Sequence, residues 1–325
     1  MQKRDAYFLI LPLIFSALFI LLSYVPFYQT FENRVYDLYL SVRPEIQEDE
    51  RLLLLDIDDL SIAEVGVWPW SRAITARGLL LLREFGAQSV VMDIEYTEES
   101  PMGVNSRVLK EEIPARFQNE FSELKSNIGS LFDALAAGSI PLESAEEYVK
   151  DLQQLTEESK QTLLQQVREI ARDNDAFYGR MARLHGSTYF TVSMLNREDP
   201  AVPDSLISYA QQNITLEEVN GSNASITEAE GIRPAIKPLL SNAAGAGFPN
   251  VVVDSDGVRR RIKLLMEYEG EYYPQLALAP LLDWLGNPEL RLRPHSLTLQ
   301  DARHPDEGSI DITIPLTGEG EMLIN

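Results

Sequence analysis

Carboxylates are the residues best grouped for chemistry: Asp56, Asp58 and Asp59 follow one apolar run, and Asp93 and Glu95 close a second. Grouped carboxylates suit a hard cation such as Mg²⁺ or Ca²⁺, or they balance a buried arginine. Arg72 is the natural partner, because it begins the segment that joins the two runs and so lies near Asp56, Asp58 and Asp93 at the strand ends. Beside it stand Trp68 and Trp70, whose rings could stack on a ligand next to the guanidinium or plug the sheet. Asp254-Ser255-Asp256-Gly257 reads like the opening of a calcium loop, but Leu265 occupies the place where a bidentate glutamate would close it, so a tight turn accounts for it better. His185, His295 and His304 show no metal-ligand spacing. No catalytic residue, metal or cofactor follows from these patterns.

Composition removes whole classes of function. A formal charge of -22 repels phosphate backbones, which excludes nucleic acid as a partner for the bulk of the chain. With no cysteine at all, disulfide frameworks, thiolate zinc sites and cysteine nucleophiles are absent.

The elements that must position the carboxylates are legible in part. Leu52 to Ile57 is a short apolar run of the kind found in a central strand, Ala73 to Phe85 has helical spacing closed by Gly86, and Ala87 to Ile94 reads as a second strand. Together they predict a crossover with both strands parallel, whose carboxyl ends face one crevice. Ser106 to Ala171 is free of strand-like runs. Apolar residues from Leu109 to Leu135 step by three or four up to Gly138. A second stripe follows Pro141, with Ser144 to Glu147 as a capping box, so the insertion over about 106–171 is an antiparallel helical hairpin. Its stripes serve mutual packing or a dimer contact. Asp175 to Leu184 reads as helix, Ser187 to Met194 as strand, and Arg197 to Pro238 mostly as loop. Phe248 to Asp254 and Arg259 to Tyr268 flank Asp256-Gly257 and should pair as a hairpin. Pro274 to Leu285 looks helical, with strands at Ser296 to Gln300, Ile310 to Pro315 and Met322 to Asn325. The fold class expected is α/β, a mixed sheet with helices on both faces, an inserted helical hairpin and one N-terminal transmembrane helix.

That last helix comes from Ala6 to Phe27, which carries no charge, follows Lys3 and Arg4, and ends among Tyr24, Phe27, Tyr28 and Phe31. The reading places residues 1–5 in the cytoplasm, 6–28 in a single-pass anchor of a bacterial inner membrane, and 29–325 on the periplasmic or extracellular side. FENRVYDLYLSVRP continues the helix outward until Pro44. The apolar ending Met322-Leu323-Ile324-Asn325 lacks a turn signal, which suggests a longer receptor.

In order along the chain stand Tyr36-Asp37-Leu38, Asp56-Ile57-Asp58, Gly66-x-Trp68-Pro69-Trp70-x-Arg72, Gly86-Ala87 and Asp93. Asp173-x-Asp175, Asp254-x-Asp256-Gly257-x-x-Arg260 and Tyr273-Pro274 follow. Over Tyr36 to Asn325 this pattern resembles the CHASE type 2 family, the cyclase- and histidine-kinase-associated extracellular sensory domains. The resemblance implies a non-enzymatic input module of a membrane receptor, coupled in longer relatives to a cytoplasmic nucleotide cyclase or kinase. Its family-motif residues here are Asp37, Gly66, Trp68, Pro69, Trp70, Asp175, Asp254, Asp256, Gly257 and Arg260. The partners expected are membrane lipid through the N-terminal helix, an unidentified small-molecule or peptide signal, and a second copy of the chain. Two alternatives stand beside it. An apolar strand ending Asp-x-Asp also resembles haloacid-dehalogenase-like phosphotransferases, in which Asp56 would attack phosphorus and Asp58 act as acid/base with Mg²⁺; the other is a non-catalytic dimerisation module.

Overall fold

The computed structural model describes residues 3–23, 26–44, 46–104, 108–217, 219–221 and 225–324; Tyr24, Ser106 and Asn325 lie outside them. The chain opens with helices α1 (Lys3–Ser23), α2 (Pro26–Val42), α3 (Asp59–Val65) and α4 (Arg72–Glu84), then strands β1 (Val90–Val91) and β2 (Gly103–Val104). Two long helices follow, α5 (Ile113–Ala136) and α6 (Ala145–Ile170), running into β3 (Ala171–Arg172). The middle holds α7 (Asn174–His185), β4 (Thr188–Leu195), α8 (Asp204–Asn213), β5 (Val219–Gly221), β6 (Gly231–Pro234), α9 (Lys237–Leu240) and β7 (Gly245–Gly247). The last part is β8 (Arg261–Lys263), β9 (Leu265–Tyr268), β10 (Glu271–Pro274), α10 (Leu278–Trp284), β11 (Glu289–Arg293), β12 (Ser296–His304), β13 (Gly308–Pro315) and β14 (Glu321–Leu323).

Strand β4 is the centre of the fold, because Thr188 to Met194 are all buried and its aromatic and β-branched residues suit a strand covered on both faces. It pairs parallel with β1 and β7 and antiparallel with β6, so the sheet is mixed. Helices α4, α7 and α9 join Phe190 in one core through Ala76, Leu79, Tyr178, Ala182 and Leu239. A second core gathers Val192, Met194, Phe248 and Tyr273, and a third lies under the β11–β12–β13 sheet around Leu282, Leu292, Leu297 and Leu299. Close approach of α7 and α9 depends on Gly179, where an added Cβ would stand 2.0 Å from the Pro238 carbonyl oxygen.

Several expectations are corrected. Leu52 to Ile57 forms no strand, and Leu52 to Leu55 are 69–91% exposed. Leucine is a better helix than strand former, and an apolar run becomes a strand only where a partner edge accepts its backbone. Ala87 to Ile94 narrows to β1, whose parallel partner is β4, so the expected crossover does not form. Val252 and Arg261 make a single antiparallel bridge where a hairpin was expected; β8 instead pairs with β14, and β9 with β10. The excursion from Arg197 to Pro238 contains α8, β5 and β6.

The helical hairpin is present as α5 and α6, turned at Gly138, whose φ of 66° favours glycine. Ser144 makes no side-chain cap, because it lies in a 3₁₀ turn at Leu142–Ser144. The base is closed by β2 pairing antiparallel with β3, and by Asn174, whose amide donates to Ser71 Oγ and to the Pro101 carbonyl, both at 3.3 Å.

At the N-terminus, the anchor expected over 6–28 falls on α1 (Lys3–Ser23) and the start of α2 (Pro26–Val42), with Tyr24 and Val25 outside the described residues. Among the described residues no helix is long and apolar enough to cross a membrane.

Candidate functional site

The most connected side chain is Arg260, and local turn chemistry aims it. Gly257 adopts a φ of 83°, its N–H donates to the Asp254 carbonyl at 2.9 Å, and the Asp254 N–H donates to the Val258 carbonyl at 2.9 Å. The chain therefore doubles back within a few residues and lays the guanidinium over the carboxylates that precede it. Arg260 Nη1 donates to Asp254 Oδ2 and Asp256 Oδ1, and Nη2 to Asp256 Oδ2, all at 2.9 Å.

The remaining donors reach a distant element. Arg260 Nε and Nη2 grip both oxygens of Asp37 at 2.7 Å, so a bidentate fork ties the turn to α2. Tyr36 strengthens the attachment by donating its hydroxyl to the Ile324 carbonyl at 2.8 Å, while the Ile324 N–H donates to the Arg260 carbonyl at 3.0 Å. Arg261 adds a bond to Asp254 Oδ1 at 2.8 Å. The Arg260 side chain is 4% exposed and Asp37 44%, which makes the clamp a buried cation with one carboxylate facing water. Hydrogen bonds from Arg260 hold the Asp256 carboxyl down to about 2 and lower that of Asp37, and these carboxylates in turn raise the guanidinium. Beside the clamp is a cleft of about 490 Å³ lined by Tyr28, Phe31, Tyr36, Tyr39, Arg261 and Leu323.

A second ionic hub holds the base of the helical hairpin. Asp173 caps α7, accepting from the Asp175 and Ala176 N–H groups at 2.9 and 2.8 Å, which frees the Asp175 carboxylate for other partners. Asp175 accepts from Arg72 and from Ser100, whose N–H and hydroxyl lie at 2.8 and 2.6 Å. Arg72 also donates to the Glu98 carbonyl and lies 5.2 Å from the Tyr96 ring centroid. Tyr96, Tyr178 and Phe190 meet edge to face beneath it, with centroids 5.3–5.9 Å apart.

The grouping of Asp56, Asp58, Arg72 and Asp93 is therefore not formed. Arg72 is engaged by Asp175, and Asp56 and Asp93 are exposed, because the strand that would have carried Asp56 toward Asp93 is absent. Asp58 is the N-cap of α3, accepting from the Ser61 N–H at 2.8 Å and from its hydroxyl; these bonds lower its pKa. Among the described residues no group of three or more acidic or histidine side chains is arranged to hold a metal ion.

The tryptophans do not plug the sheet. Trp68 and Trp70 meet edge to face at 5.4 Å, Trp70 Nε1 donates to the Gly66 carbonyl at 2.8 Å, and the Trp68–Pro69 peptide is cis. Trp68 is exposed and Trp70 half-buried, so the pair shapes the loop into α4 and stays out of the three cores.

Sequence reasoning singled out Asp37, Asp254, Asp256 and Arg260 without seeing that they meet, and it missed the Asp175 carboxylate as the partner of Arg72, 103 positions away. The Asp-x-Asp spacing before α7 was the one available signal. Chemically, the five donors of Arg260 all meet carboxylate oxygens, and Arg72 is held by Asp175 and the Glu98 carbonyl, so both hubs join elements.

No curated protein and no solved structure matches the chain. The CHASE2 domain model matches residues 13–325, which takes in both hubs and every strand. The chain thus belongs to the CHASE2 domain family, the extracellular sensory domains of signalling receptors.

Proposed function

We propose that this chain is the extracytoplasmic input domain of a bacterial membrane receptor, and that it signals by changing how α2 sits on the domain. The observation that carries the reading is the Arg260 clamp. It joins the turn at Asp254–Asp256 to Asp37, on the helix that leads back to the N-terminal segment. A signal need only bind one arrangement of that clamp better than another to shift the equilibrium. The cleft beside it, with its tyrosines, the guanidinium groups of Arg260 and Arg261 and the carboxylate of Glu32, suits a small aromatic molecule or a short peptide.

Anchoring in the bilayer belongs to the same proposal. Its support is the uncharged run from Ala6 to Phe27, preceded by Lys3 and Arg4, in a family of receptor domains. The output would be a nucleotide cyclase or kinase on the cytoplasmic side.

Protease added to spheroplasts tests the placement: residues after α2 should be digested while the first residues stay protected. Recovery of intact protein from the cytosol after such treatment overturns the reading. In the intact receptor, Arg260→Ala should hold output at one level whatever the stimulus, and a normal response in that variant would remove the clamp from the signalling route.

A further inference from the structure

We infer that the helical hairpin carries a docking face for a second copy of this chain. The seam between its two helices is plain in α5, where the half-buried residues Ile113, Glu120, Leu124, Asn127, Leu131 and Ala134 recur at heptad spacing, and in α6, where Leu152, Ser159 and Leu163 do the same. Ser159 donates to Glu120 Oε2 across it at 2.5 Å. At about 100° per residue, Phe121, Ile128 and Phe132 stand roughly a quarter turn from that seam. Because the helices are antiparallel, Leu164 and Val167 of α6 come out on the same side of the pair. Phe121 and Phe132 are 60% and 67% exposed, and Phe121 stacks on Phe117 with ring centroids 5.9 Å apart. A two-helix layer has nothing of its own to cover this face.

Size, shape and charge all favour a second copy. Helices of 24 and 26 residues laid side by side offer a face of about 36 by 20 Å, or roughly 700 Å². Two such faces together bury roughly 1,400 Å², in the range of stable interfaces. A twofold pairing of identical hairpins gives four helices around one core, the smallest arrangement that encloses the stripe. The opposite side of the hairpin carries Glu123, Asp151 and Glu158, which would be repelled by a like surface or by anionic lipid. Within that face stands Lys160, paired with Glu157 at 3.0 Å, and Lys125 lies at its edge, a pattern of mixed charge that suits a self-complementary contact better than a bilayer.

The test uses the full chain in mild detergent, with mass measured by sedimentation. The wild type should be a dimer, and Phe121→Glu with Phe132→Glu should weaken it at least tenfold. Ser126→Glu, on the other side, should leave it unchanged. Since the chain has no cysteine, oxidation of Ile128→Cys should yield a covalent dimer, whereas Ser126→Cys should not. A wild-type monomer at tens of micromolar overturns the proposal. So does a dimer indifferent to both phenylalanine changes and not cross-linked at position 128, or a hairpin whose phenylalanines are needed only for binding phosphatidylglycerol vesicles.

Discussion

Arginine 72 and arginine 260 perform one physical task at two places, holding elements together that are far apart in the chain. The Arg72 and Asp175 side chains are 12% and 6% exposed, so removing one partner leaves the other charge buried. Arg72→Ala is expected to cost about 3–5 kcal/mol, measured by urea denaturation; Asp58→Ala should cost far less, the loss of an exposed cap. The Arg260 clamp responds to pH with a defined sign. Its Asp256 carboxyl is held at about 2 in the folded protein, against about 3.9 in an unfolded chain. A depressed folded pKa stabilises above the unfolded value and loses that contribution as pH falls through the folded one. The gap in melting temperature between wild type and Asp256→Asn should thus be constant above about pH 4 and narrow steadily toward about pH 2. A gap that persists unchanged at the acidic end would mean that the carboxylate is not held as described.

Helices and strands obeyed their patterns where the pattern reports on a partner inside the same segment, and departed from them where it does not. The stripes of α4 and α5 and the apolar content of β4 fall on elements that formed, because helical bonds are local and β4 is buried on both sides. Leu52 to Ile57 satisfied the same test of apolarity and found no strand to pair with, and the strand content of Arg197 to Pro238 depends on neighbours that lie elsewhere. Two glycines test the helices themselves. Gly179→Ala places a methyl group against the Pro238 carbonyl, and should destabilise the fold by about 1–3 kcal/mol. Gly78→Ala, within α4 and with nothing within 4 Å of the added carbon, should stabilise it by about 0.5–1 kcal/mol. Thermal melts of the two variants should move in opposite directions.

Taken whole, the molecule joins an N-terminal helix to the far end of the chain: Arg260 reaches 223 positions back to Asp37, and Tyr36 reaches 288 forward to Ile324. Asp37→Asn should therefore loosen α2 alone, and its backbone amides should exchange with deuterium at least tenfold faster while those of β4 keep their protection. Equal acceleration in both would show that the clamp supports global stability and not a local attachment. The amino-acid order by itself determined the acidic, cysteine-free character, the helical hairpin, the tight turn at Asp256-Gly257 and the family, since composition, period and short motifs are properties of neighbouring residues. Only the tertiary structure decided which carboxylate each arginine meets, that Leu52 to Ile57 stays unpaired, and that the hairpin leaves one apolar side uncovered. Those are matters of distance between segments remote in the chain, and no local spacing encodes them.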